Sequence, residues 1–99
     1  MNIELQYFDG CPSWKPARER LTQLAAEHPD LAVTTRPVRD PDEAEQIGFH
    51  GSPSILLDGV DLFADPETAA GFGCRLYRTP DGPAGSPTLE QLRAAIVGV

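Results

Sequence analysis

Apolar and polar residues alternate at the start of the chain: Ile3, Leu5 and Tyr7 are separated by Glu4 and Gln6, the pattern of a strand with one buried face. Asp9-Gly10 interrupts it. From Trp14 the apolar positions Trp14, Ala17, Leu21, Leu24 and Ala25 recur at helical spacing, which predicts an amphipathic helix from about Pro12 to Glu27, ended by His28-Pro29-Asp30. Pro16 falls in its first turns or marks where regular helix begins. Leu31 to Val38 is rich in β-branched residues and reads as a second strand. A strand, helix, strand run of this length implies a right-handed crossover between parallel strands.

The second half is punctuated more densely. Asp40-Pro41-Asp42-Glu43 is a helix start, with Asp40 as the cap, Pro41 at the first helical position and acids in the first turn; Gly48 supplies the stop. Ser54-Ile55-Leu56-Leu57 is a short apolar strand, and Asp58-Gly59 turns it into a hairpin with Val60 to Phe63. The hairpin returns Ala64 and Asp65 to the end of the sheet where Pro53 begins. Residues 65–86, opening with Asp65-Pro66-Glu67, read as an irregular insertion. Within it Cys74-Arg75-Leu76-Tyr77-Arg78 is a candidate edge strand and Thr79 to Pro87 a loop. Ser86 or Thr88 then caps a last helix built on Leu89, Leu92, Ala95 and Ile96.

A chain of 99 residues is expected to form one domain, 1–99. Its formal charge of −7, from 15 acidic and 8 basic residues, argues against nucleic acid or an anionic membrane as partner. No apolar run reaches the ~18 residues of a membrane span and no secretory leader is recognisable, so a cytoplasmic location is expected. The two cysteines, Cys11 and Cys74, are too few for a disulfide scaffold. The residues call for no cofactor and leave the oligomeric state open.

Cys11 sits at or just before the first helix, where free backbone N–H groups and the helix dipole favour a thiolate, here against the acidic field of the whole chain. Because Pro12 has no N–H, the donors must be the Ser13, Trp14 or Lys15 amides, or the Ser13 hydroxyl. Exposure at a helix start makes Cys11 the candidate nucleophile; the bland alternative is an inert half-buried cysteine. Cys74 is either a small buried hydrophobe on an edge strand or a thiol that the insertion returns to Cys11. Paired thiols could exchange reversibly as a disulfide or hold a soft metal ion. His50 could serve Cys11 as proton acceptor, with a surface loop histidine as the plainer reading. Asp9 reads as a turn cap, Trp14 as packing or as the wall of a ligand groove, and Arg75 and Arg78 as solvated charges or an anion contact.

The runs Tyr7-Phe8-Asp9-Gly10-Cys11-Pro12, Gly51-Ser52-Pro53-Ser54 and Gly73-Cys74-Arg75-Leu76-Tyr77, in this order of elements, resemble the thioredoxin-like superfamily, and in particular small bacterial members, some labelled alkylmercury-lyase-like. The resemblance covers roughly residues 1–64 and 87–99. It implies an α/β thioredoxin-like fold: a central four-stranded mixed sheet flanked by three helices, with the irregular insertion before the last one. It further implies a cis proline at Pro53 opposite Cys11, with Trp14, Ser52 and Pro53 contacting substrate. Trp14 occupies the position of the second cysteine of the family's CxxC, so any oxidoreductase here is atypical. Cys74 is then the candidate resolving thiol, acting with Cys11 on a protein or small-molecule thiol or disulfide. Two other functions stay open: a binding module without turnover, and handling of soft metals or organomercurials by Cys11 and Cys74.

Overall fold

The computed structural model describes residues 1–64 and 71–98. The reading of Asp65-Pro66-Glu67 therefore lies outside the described residues. The elements run β1 (Asn2–Tyr7), α1 (Trp14–Glu27), β2 (Ala32–Pro37), α2 (Pro41–Ile47), β3 (Ser54–Leu57), β4 (Val60–Asp61), β5 (Tyr77–Thr79), β6 (Gly82–Ala84) and α3 (Leu89–Val97). Four strands form a mixed sheet in the order β2-β1-β3-β4. The β1 strand pairs parallel with β2, Asn2 opposite Ala32, and antiparallel with β3, Ile3 opposite Leu57. The fold is therefore α/β, with three helices among the described residues and the expected mixed sheet.

Local chemistry explains the boundaries. Pro16 is the third residue of α1, where an N–H would have no intrahelical partner, so the ring does not break the helix. Asp40 accepts a hydrogen bond from the Glu43 amide at 2.8 Å, and Gly48 closes α2 in the left-handed conformation, φ 70°. Asp58 and Gly59 both have positive φ, which gives the two-residue turn the twist that β3 and β4 need. Thr88, not Ser86, caps α3 through a reciprocal bond with Gln91.

Ile3, Leu5 and Ile55 of the sheet pack with Ala17, Leu21 and Leu24 of α1 and Leu92 and Ile96 of α3 in the main core. Each buried Leu or Ile contributes about 1.5–3 kcal/mol by leaving water, so this layer dominates stability. A smaller cluster joins Val38, Ala44 and Phe49, with Phe8 and Ile47 packed against it. Among the described residues no helix is long and apolar enough to cross a membrane.

The described part of the insertion, from Gly71 on, is more ordered than its turn-rich composition predicts. Residues 77–84, read as the end of an edge strand followed by a loop, form the hairpin β5–β6 instead, because Thr79 Oγ1 bonds the Gly82 carbonyl and Gly82 takes φ 103°. Cys74 lies before that hairpin, on a short strap that pairs with Ser52 as an isolated parallel bridge.

Candidate functional site

The site forms where β1 ends and β3 begins. After Tyr7 the chain turns through Asp9-Gly10, and the turn is closed by Cys11 N–H donating to the Phe8 carbonyl at 3.2 Å. Cys11 is thereby set against Ser52, the residue before β3, and its thiol donates to the Ser52 carbonyl at 3.6 Å. The Ser52–Pro53 peptide bond is cis. Pro53 is fully buried, and its carbonyl accepts a hydrogen bond from the Tyr77 hydroxyl. Burial pushes that phenol's pKa up, so it stays a donor at neutral pH.

Ser52 also holds Cys74. Its N–H donates to the Gly73 carbonyl at 2.7 Å and its carbonyl accepts from the Arg75 amide at 2.9 Å. One residue thus gathers both cysteines, and the two thiols lie close enough for each to shift the other's ionisation. Both are free thiols. Burial works against charge on Cys11, but the neighbouring Cys74 thiol, the Ser13 amide and hydroxyl, and the Ser52 hydroxyl outweigh it, and its pKa falls below that of an ordinary thiol. The Cys11 sulfur beside Cys74 moves the latter the other way.

The donors are available for a structural reason. Ser13 is the N-cap of α1 yet makes no side-chain capping bond, which leaves its hydroxyl for Cys11. The Ser52 hydroxyl accepts from the Phe8 amide at 3.3 Å, so its proton can point at the sulfur. Gly85 presses on the same serine: a Cβ there would stand 2.2 Å from Ser13 Oγ. Arg20 holds that contact by donating to Ser86 Oγ and the Pro87 carbonyl at 2.7 and 2.6 Å.

The strap is anchored by charge. Asp61 on β4 accepts from the Arg75 guanidinium at 2.8 Å and lies 2.7 Å from His50 Nδ1. Burial disfavours its carboxylate, but Arg75 and His50 more than compensate and hold its pKa below the usual carboxylate range. Gly51, at φ 106°, allows the close approach, since a Cβ there would meet Arg75 Cβ at 3.0 Å and the Gly73 carbonyl at 3.2 Å.

Comparison with family models, with curated proteins and with solved structures returned no match. The site is therefore defined by its own geometry.

Several expectations change. Cys11, expected to be exposed, has 0% exposure, and the exposed thiol is Cys74, which had been weighed as a buried hydrophobe. Of the donors considered for Cys11, the Ser13 amide and hydroxyl act, while the Lys15 amide bonds the Pro12 carbonyl. His50 pairs with Asp61, and Arg75 is an internal anchor, not a free anion contact. Trp14 stacks on Tyr7 with ring centroids 4.2 Å apart and faces a 250 Å³ cavity with Lys15, Arg18 and Glu19. A separate cleft of 280 Å³ contains Cys74, His50 and Phe72. Asp9 is exposed beside a third cavity. Asp61 and Gly85 carried no signal in the sequence, because their roles depend on segments distant along the chain. Among the described residues no group of three or more His, Cys, Asp or Glu could hold a metal.

Proposed function

We propose that this chain is a thioredoxin-like thiol–disulfide exchange protein whose working couple is Cys11 and Cys74. The observation that carries the reading is the double use of Ser52, whose carbonyl oxygen accepts from both the Cys11 thiol and the Arg75 amide next to Cys74. The order of elements around the mixed sheet supports the thioredoxin-like part of the reading, and location in the cytoplasm belongs to the same proposal. Trp14 at the usual position of the second cysteine is then no obstacle, because Cys74 supplies the second sulfur from the strap. Cys11 is the internal nucleophile: its thiolate, held by Ser13 and Ser52, attacks a disulfide formed at Cys74.

The test is turnover. With glutathione disulfide as oxidant, the protein should accelerate oxidation of a reduced two-cysteine peptide, releasing two glutathiones per peptide disulfide. Both Cys11→Ser and Cys74→Ser should abolish the acceleration. Turnover that survives the loss of either cysteine contradicts the couple. A two-coordinate soft ion is the second reading that two adjacent thiols favour. Tight Hg(II) binding by the reduced protein, together with no exchange turnover, would select it.

A further inference from the structure

We propose that Cys74 is the sulfur that meets the partner and Cys11 the sulfur that releases it, the reverse of the order expected from a cysteine at a helix start. This rests on the exchange reading above and assigns the two sulfurs of that couple their separate parts. Three observations lead there. Cys11 has 0% exposure, whereas Cys74 is exposed. Cys74 also lines an open cleft with Gly71, Phe72 and Gly73, room for the chain that carries an incoming thiol. The polar groups around Cys11, by contrast, point inward at its sulfur and offer a solute nothing to bind.

The steps balance as follows. In the oxidised protein a substrate thiolate attacks Cys74 Sγ. A substrate–Cys74 disulfide forms, the Cys11–Cys74 bond breaks, and its electron pair leaves on Cys11 Sγ, where the Ser13 amide and the two hydroxyls receive it. A second substrate thiolate then attacks the substrate sulfur and expels Cys74, which takes a proton from water. The substrate dithiol has passed two electrons to the couple and its two protons to solvent, one of which returns on Cys74 while Cys11 stays a thiolate. A small disulfide such as glutathione disulfide restores it: Cys74 thiolate attacks and frees one glutathione, then Cys11 thiolate attacks Cys74 Sγ and frees the second. A thiol with a lowered pKa leaves faster, which suits Cys11 to the inner position.

Two measurements test the assignment. In the first, reduced Cys11→Ser and Cys74→Ser proteins react with 4,4′-dithiodipyridine under native conditions. Cys74 in the former should react roughly tenfold or more faster than Cys11 in the latter, and the difference should vanish in denaturant. Equal native rates, or a faster Cys11, overturn the assignment. The second avoids dependence on how either variant folds: oxidised wild-type protein is mixed with a reduced single-cysteine peptide, quenched in acid and mapped. The peptide should be found on Cys74; a peptide on Cys11 overturns the assignment. Failure of the exchange reading itself looks different, as wild-type protein that accumulates independent adducts on both cysteines without closing an internal bond.

Discussion

The two cysteines that Ser52 gathers solve different problems. Cys11, in the β1–α1 turn, is fully buried and surrounded by the Ser13 amide and the Ser13 and Ser52 hydroxyls, an environment that stabilises a sulfur anion and hides it. Cys74 is exposed, and among the described residues no such donor reaches it; its position comes from two backbone bonds to Ser52 and from the Arg75 side chain reaching Asp61. Stabilisation of charge and access to solvent are thus divided between two sulfurs. A single exposed thiolate would need donors that do not cover it, whereas a pair allows one thiol to be sheltered and the other offered.

The contrast can be broken most severely at the anchor. Replacing Asp61→Asn leaves the nearly buried Arg75 guanidinium without its counter-charge and should cost about 3 kcal/mol, checked by urea unfolding. The pH dependence follows from the lowered folded pKa. The unfolded carboxyl binds protons more readily, so the stabilisation is complete above about pH 4 and is lost as pH falls through the lower folded value. The stability gap between wild type and Asp61→Asn should therefore be constant near neutrality and shrink in acid.

Gly51→Ala acts on the strap without touching charge. With φ at 106° and the Arg75 Cβ at 3.0 Å, it should cost about 2 kcal/mol. It should also slow closure of the Cys11–Cys74 bond, measured by quenched alkylation.

Smaller effects sharpen the Cys11 side. Gly85→Ala would push on Ser13 and should cost about 1 kcal/mol in stability. Ser13→Ala removes one donor to the thiolate and should reduce Cys11 reactivity near neutral pH by roughly tenfold, the equivalent of about one hydrogen bond to a charge. Thiolate absorbance followed against pH, in the Cys74→Ser background, reads the upward shift.

Whatever depends on neighbours along the chain was legible in the sequence: the Ile3-Leu5 alternation, the helical face of Ala17, Leu21 and Leu24, the Asp40 cap and the Asp58-Gly59 turn. Proximity of Cys11 to the start of β3 was implied only by the thioredoxin-like resemblance that the Gly51-Ser52-Pro53 run carries. What escaped was set by contacts between distant segments. The Asp61–Arg75 pair joins the β3–β4 hairpin to the strap before β5, and β5–β6 forms in a stretch whose prolines and glycines look like loop. The exposure of the two cysteines came out reversed because burial of Cys11 depends on how the far strap and Ser52 close over it, which local spacing does not encode.

The most direct measurement of the central claim is the disulfide made when the reduced protein meets one equivalent of a mild two-electron oxidant. Peptide mapping should find a single bond within each chain, between Cys11 and Cys74. Chains cross-linked through the exposed Cys74 while Cys11 stays reduced would contradict the claim that the two sulfurs form one couple.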